Sequence, residues 1–486
     1  MKEDWIEIEI NEVANLYQPK TISSKMLVSD GKYPVYGANG IIGNYDHYNH
    51  ENEEFLITCR GATCGNVHIS QPFSWINGNA MVVQPYNKSL LSLKYLRFVF
   101  SNKGRVQKAI SGSAQPQITR TTLSPIKIPL SPLPEQRAIV AKIEELFSDL
   151  DKGVADLKKA QDQLKVYRQA VLKKAFEGEL TKEWREQQTD LPTAAELLEQ
   201  IKVERQKHHE RQIEDWKLAL EEWEENGKKG KKPTKPQKHK LVEELTNIEL
   251  KELTTLPVGW KWIKNNDLMY YITSGSRDWK KFYSDTEGTY FVRTQDIKTN
   301  RLDLSSAAFV DLPKHVEGKR SLIEKGDLLM TITGANVGKI AHVDVDISEA
   351  YVSQSVALMK YVLKSFGPYL HYYFQSSATG AKFIGAMVYG VGRPVLSLDN
   401  MRDAPVSVCS FEEQHQIVQE IESRLSVCDK VEESITESLE KAEALRQSIL
   451  KKAFEGNLLS TQEIEKCKTA PDYEPAAVLL EKIKSQ

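Results

Sequence analysis

Between Phe55 and Pro134 this 486-residue chain has no Asp or Glu, although nine Lys and Arg fall in the same stretch. Ala350 to Leu398 repeats the pattern, with Lys360, Lys364, Lys382 and Arg393 and no acid. The net charge of −2 therefore hides two one-sided basic regions, an arrangement that suits a polyanionic partner. Long apolar runs are missing too, which argues against a membrane-spanning helix, and the start Met1-Lys2-Glu3-Asp4 is too acidic for a signal peptide. Five cysteines, few and odd in number, point to a reducing, cytoplasmic setting. Cys59 and Cys64 have no matching second pair, so they read as small buried thiols and not as zinc ligands.

Catalytic signatures are equally scarce. The chain has no His-Glu-x-x-His, no Gly-x-Ser-x-Gly, and no Gly-x-Gly-x-x-Gly after a strand. Gly334-Ala-Asn-Val-Gly338-Lys339 is one residue short of a phosphate loop, and Ile340 stands where magnesium would need a Ser or Thr. The ten His show no ligand spacing. No catalytic residue and no metal site is expected.

What the chain does contain is a repeat. EQRAIVAKIEELFSDLD from Glu135 is answered by EQHQIVQEIESRLSVCD from Glu413, and YRQAVLKKAFEGEL from Tyr167 by LRQSILKKAFEGNL from Leu445. The offset is the same both times, 413 − 135 = 278 and 446 − 168 = 278, as expected of a duplicated structural unit. Ile143, Phe147, Leu150, Val154, Leu157, Leu164, Val171 and Ala175 form a heptad seam, as do Ile421, Leu425, Cys428, Ile435, Leu439, Ala442, Ile449 and Ala453. Each predicts a helix of about 40 residues, roughly 60 Å long. An N-terminal proline (Pro134) or a Ser410-x-x-Glu413 capping box marks the starts, and Gly178 and Gly456 mark the stops. Polar Arg168 and Arg446 interrupt both seams at the same place, as residues that fix register do. An internal antiparallel pair serving as a rigid spacer fits two copies in one chain better than halves of a dimerisation coil.

The globular parts repeat as well. Arg60-Gly-Ala-Thr-Cys-Gly65 matches Thr333-Gly-Ala-Asn-Val-Gly338, Tyr95 to Phe100 matches Tyr369 to Phe374, and Gly112 to Thr119 matches Gly390 to Ser397. Short alternating runs punctuated by Gly predict turn-linked strands, and Leu93 to Ile110 predicts a helix. Trp5 aligns best with Trp262. The fold class is α+β: two mainly-β domains separated by two long antiparallel helices. The expected divisions are residues 1–132, helical spacer 133–180, a charged region 181–250, residues 251–409, helical spacer 410–460 and a tail 461–486. Within the charged region, Ile213, Trp216, Leu220 and Trp223 form one stripe of a helix. Asn226 to Lys240 carries seven lysines and reads as a flexible linker, with non-specific phosphate contact as the lesser alternative.

The chemistry left over is recognition. Arg grips guanine bidentately, and Gln or Asn grips adenine. Residues of these types beside Gly turns are the candidate readers: Arg60, Asn77, Gln115, Gln117 and Arg120 in the first domain, and Arg277, Arg293, Gln295, Asn336, Gln354 and Arg393 in the second. Singly, each is better explained as a surface polar residue or a loop stabiliser than as a base reader. Lys103, Arg105 and Lys108 suit phosphate contacts, which position without specifying.

Leu133-Pro-Glu-Gln136, the helix end Leu172-Lys-Lys-Ala-Phe-Glu-Gly178 with its copy ending at Gly456, Leu256-Pro-Val-Gly-Trp260, Tyr33-Pro-Val-Tyr-Gly37 and Ser111 to Thr119 together resemble the specificity subunit of type I restriction-modification systems. The resemblance covers essentially the whole chain. It implies two target recognition domains reading a bipartite double-stranded DNA target, with a spacer set by the helices. It also implies a non-catalytic chain that docks two methyltransferase subunits and, through them, restriction subunits. S-adenosylmethionine, ATP and magnesium would then sit on those partners. The competing expectation is a two-domain adaptor that binds protein or carbohydrate.

Overall fold

A computed structural model describes the chain except for residues 1, 113, 114, 277, 285, 286, 299, 300, 314, 315, 317 and 486. It divides into two compact units, Met1–Ala160 with Glu433–Gln486, and Gln161–Glu432. The two long helices run Leu133–Phe176 and Phe411–Phe454, 44 residues each, and both their ends differ by the same 278. Among the described residues, no helix is long and apolar enough to cross a membrane.

In the first unit an antiparallel four-stranded sheet takes the order Ala14–Tyr17, Ala80–Pro85, Phe55–Thr58, Val67–Ile69. A second sheet pairs Tyr33–Gly37 with Gly40–Tyr45 and, in parallel, with Trp75–Ile76. One face of the larger sheet buries Phe55, Ile57, Met81 and Val83 against the helix Leu93–Ser101. The other side of that helix meets the start of the first long helix (Ile139, Ile143) and the end of the second (Ile449, Leu450, Ala453, Phe454) in the same core. Tyr95 and Phe454 pack edge to face at 5.5 Å. The helix expected over Leu93 to Ile110 breaks at Asn102, whose extended backbone separates Leu93–Ser101 from the short turns Lys103–Val106 and Gln107–Ala109.

The second unit rebuilds this arrangement from different residues. Its main sheet orders Met269–Ser274, Val356–Tyr361, Leu328–Thr331, Ile340–His342. The helix Phe366–Tyr373 again joins the sheet to the end of a long helix, here Val171, Leu172, Ala175 and Phe176. Phe176 meets Tyr369 and Tyr373 edge to face at 5.3 and 5.2 Å. A second four-stranded sheet repeats the pairing of the first unit's small sheet, Thr289–Val292 running antiparallel to Ala308–Val310 and parallel to Ala350–Val352, and adds Tyr283–Ser284 at its edge.

The polar interruptions of the seams are the repeat's signature in three dimensions. In the second unit Arg168 on the first long helix binds Asp429 (2.6 Å) and Glu432 (3.0 Å) on the second. In the first unit Arg446 on the second helix binds Asp151 on the first. Shifting by 278 turns one pair into the other: 168 + 278 = 446 and 151 + 278 = 429. Within each unit the two helix segments therefore run antiparallel in matching register. The next residues also correspond. The Gln447 side chain accepts from the Lys103 backbone N–H at 3.1 Å and donates to the Ser101 carbonyl at 3.4 Å. Gln169 accepts from the Ser377 N–H at 2.8 Å and donates to the Gln375 carbonyl at 3.4 Å. In both units these bonds tie the long helix to backbone groups at or just past the end of the domain's own helix, where the helix's internal bonding runs out.

The helix starts differ from expectation. The Ser410 hydroxyl does accept from the Glu413 N–H (3.2 Å), but the Glu413 carboxylate does not close the capping box. It lies buried, accepting from Trp260 Nε1 (2.8 Å), Thr181 (2.8 Å) and Arg185 (2.5 Å). Glu135 likewise takes Trp5 Nε1 (3.0 Å) and Lys2 (3.2 Å). Trp5 thus corresponds to Trp260, not Trp262, whose indole donates to the Thr254 carbonyl. The neighbouring backbone agrees: Ala476 N–H donates to Asp4 and Ala194 N–H to Gly259, so 259 − 4 = 255 and 260 − 5 = 255.

Candidate nucleic-acid interface

At one end of each main sheet a Gly-bracketed turn and a Gly-led loop are joined by the same backbone ladder. In the first unit Thr58 N–H donates to Asn66 (2.8 Å), Gly65 N–H to Thr58 (2.9 Å) and Ile118 N–H to Cys59 (2.9 Å), while Ser111 and Gln117 exchange two bonds of 2.9 Å. In the second unit Thr331 N–H donates to Lys339 (2.8 Å), Gly338 N–H to Thr331 (2.9 Å) and Leu396 N–H to Ile332 (2.9 Å), while Tyr389 and Val395 exchange bonds of 3.0 and 2.8 Å. A Cβ on Gly112 would stand 2.8 Å from the Gln115 carbonyl oxygen, and one on Gly390 2.7 Å from that of Arg393, so both loops fold back too tightly for any other residue. The frame is shared while the outward side chains differ.

In the first unit this frame brings Arg60, Gln115 and Gln117 together on the surface, all exposed, with exposed Arg120 one turn beyond. None of the four side chains is hydrogen-bonded or ion-paired among the described residues, which leaves their donors free for a ligand. The hairpin turn Ala38–Asn39 joins them: the Thr58 and Thr63 hydroxyls donate to the Ala38 carbonyl, and Asn66 donates to Asn39 at 3.4 Å. Asn39 and Asn66 were not among the residues picked out from the sequence. An Asn beside a turn Gly, between two short strands, was the available signal. Beside them Ile41 and Ile42 are about half exposed, the kind of apolar surface that thymine methyl groups meet in a major groove.

Other candidates turn out to hold the fold. Asn77 is buried, and its side-chain oxygen accepts from the Ile22 N–H at 2.9 Å. Arg105 donates to the Lys127 carbonyl at 2.6 Å, and burial lowers the pKa of its guanidinium. Lys103 is exposed but paired with Glu443 at 2.6 Å. Lys108 remains exposed and without a carboxylate among the described residues. Other basic residues of the acid-free stretch also find acids, Lys88 at Glu54 (2.9 Å) and Lys94 at Glu144 (2.8 Å). The basic regions are therefore less one-sided in space than in sequence.

In the second unit Asn336 and Arg393 occupy the turn and the loop, and exposed Gln354 adjoins Ser355, whose carbonyl accepts from Ile332 N–H at 2.9 Å. Arg293 is held by buried Asp296 (3.2 Å) and by the Ser306 carbonyl (2.8 Å), leaving exposed Gln295 as the outward residue of that loop. Arg277 lies outside the described residues. Among the described residues no group of three or more His, Cys, Asp or Glu is placed to hold a metal ion. Cys59 is buried, its thiol pushed up to about 11, and Cys64 is half-buried; all five cysteines are free.

Two units built on one frame, carrying different polar side chains at the same outward positions, define a class of protein that presents two distinct recognition surfaces. The family model described as "Type I restriction modification DNA specificity domain" matches residues 2–159 and 257–441, and the chain belongs to that family. It is 28% identical to the Type I restriction enzyme EcoBI specificity subunit of Escherichia coli over 76% of this chain and 66% of that subunit, slightly under two thirds of its length. To the EcoDI specificity subunit of E. coli it is 23% identical over 99% of this chain and 95% of that one. A chain from the solved structure described as "Structural basis underlying complex assembly and conformational transition of the type I R-M system" shares the fold, with a TM-score of 0.62 at 14% identity, covering 94% of this chain and 99% of that one.

Proposed function

We propose that this chain is the non-catalytic DNA-sequence-specificity subunit of a type I restriction-modification complex. Each unit reads one half of a bipartite duplex target, and the long helices fix the unread gap. Methyltransferase and restriction subunits dock on it and carry S-adenosylmethionine, ATP and magnesium, and the assembly works in the cytoplasm. The observation that carries this reading is the pair of matching frames with different outward residues: Arg60, Gln115, Gln117 and Arg120 in one, Asn336, Gln354 and Arg393 in the other. Arg, Gln and Asn are the side chains that pair bidentately with guanine and adenine edges. Exposed Lys108 fits a phosphate contact, which positions without specifying.

The test is methylome sequencing of cells expressing the chain with its cognate methyltransferase. A new two-part motif with a fixed gap is expected. Inserting the same few residues after Gln161 and after Leu439, positions related by the 278 offset, should change the gap and leave both half-sites intact. Altered half-sites, or no motif from a complex shown to assemble, would refute the reading.

A further inference from the structure

The helix Ala194–Glu225 carries ten acids against five Lys and Arg, a net of 5 − 10 = −5. The lysine-rich segment after it is not a loose linker. Gly227 N–H donates to Glu224 (3.0 Å) and Lys228 N–H to Trp223 (2.9 Å), closing the helix, and the chain doubles back along it. Trp223 Nε1 donates to the Gly230 carbonyl (3.3 Å) and Trp216 Nε1 to the Pro233 carbonyl (3.1 Å). At the far end Asn266 donates to the Lys240 carbonyl (3.0 Å) and meets the His239 ring (3.0 Å). The seven-residue step between the two tryptophans is about 10 Å of helix, and the three residues from Gly230 to Pro233 cover about the same when extended. The strap is therefore an extended ribbon pinned along the helix, covering the stripe that Trp216 and Trp223 begin.

Its lysines point to a partner outside the unit. Lys228 and Lys232 lie over the Trp223 ring (5.9 Å each) and Lys235 over Trp216 (5.7 Å), while Lys229, Lys231 and Lys238 have no such contact. All seven are exposed, and none has a carboxylate within 4.0 Å among the described residues, despite the acidic helix beneath. Were the strap there to neutralise that helix, ion pairs would join them; indoles and backbone carbonyls hold it instead. The segment contains no arginine, so it offers point charges suited to phosphate and lacks the planar fork that reads a base edge. Twelve extended residues span about 40 Å, roughly one turn of duplex with its phosphate spacing of about 1.7 Å.

We infer that the Lys229–Lys240 strap is a sequence-independent phosphate-binding rail for duplex DNA. This rests on the DNA-specificity reading and adds a backbone contact outside the two recognition frames. The experiment uses the full chain in complex with its methyltransferase and compares it with Lys229→Gln/Lys231→Gln/Lys238→Gln. Affinity for target and unrelated duplexes is measured across a salt series. Loss of three phosphate contacts should lower the slope of log K against log salt by about 2.7, with both duplexes weakened by the same factor and the methylated sequence unchanged. If wild type prefers its target but the variant keeps wild-type slope and affinity, the rail is refuted while the specificity reading stands. A variant that loses only methyltransferase association would also refute it, by making the strap a protein-docking surface. No preference for any target by wild type would instead sink the underlying reading.

Discussion

Glu413 offers the sharpest energetic test of how the second long helix is anchored. The carboxylate is 2% exposed and accepts three bonds, from Arg185, Thr181 and Trp260. Glu413→Ala leaves the Arg185 guanidinium, 19% exposed, without its counter-ion, and removes the acceptor from an indole N–H and a hydroxyl. Breaking a buried pair from one side costs about 3–5 kcal/mol. Arg185 keeps some solvent and still donates to the Gly178 carbonyl at 3.0 Å, which places the expected loss near the lower end, about 3 kcal/mol. For a unit of this size that corresponds to roughly 6–12 °C in Tm. Calorimetry of the full chain should show it. Glu413→Gln, which keeps an acceptor but no charge, should lose less, and Glu412→Ala on the exposed neighbour should stay within about 0.5 kcal/mol. In a double-mutant cycle, adding Arg185→Met to Glu413→Ala should cost less than the sum of the single changes. If Glu413→Ala were as mild as Glu412→Ala, the carboxylate would not be the clasp that the geometry describes.

Burial lowers the imidazole of His371 to about 3, with a smaller contribution from His342, so folding keeps it neutral where the unfolded chain would protonate it. The unfolded state then binds the extra proton between about pH 6.5 and 3, and stability should be complete above that window and fall by up to about 1.4 kcal/mol per pH unit within it. Urea unfolding at several pH values should lose that slope in His371→Leu; an unchanged slope would remove His371 from the account. Gly178 and Gly456 close the two long helices at φ of +78° and +81°. An added Cβ would meet Pro257 at 2.3 Å at the first and only the flexible Lys2 side chain at 3.2 Å at the second. Both alanine variants should lose about 1 kcal/mol for the backbone conformation, and Gly178→Ala distinctly more; equal losses would mean that Pro257 yields freely.

Much of this architecture was legible in the sequence because it is written twice. The ungapped 278 offset located the helices, their stops and the register-setting arginines. The Gly and Pro frames marked the turn at Arg60-Gly61 and the loop at Gln117, but the bridge that joins them appears only in the structure. What escaped depended on partners far along the chain. Lys103 finds Glu443 and Lys94 finds Glu144, so an acid-free stretch is not an unpaired one. Asn77 and Arg293 have the chemistry of base readers but are committed to backbone groups and Asp296. Trp5 aligns in sequence with Trp262, yet the carboxylates at Glu135 and Glu413 identify Trp260 as its counterpart. The strap looked too polar to fold because the stripe it covers belongs to the preceding helix.

The exchanged pairs Arg168–Asp429 and Arg446–Asp151 have a consequence for how such a chain can vary. Each long helix carries both the cation and the anion of the clasp, so each presents a surface complementary to its own copy. In separate chains that property defines an isologous twofold contact. Here it is folded into one polypeptide, and the symmetry binds only the residues at the clasp and the loop frames. Every side chain facing outward from those frames is released from it, so either recognition surface can be exchanged without asking the other to change.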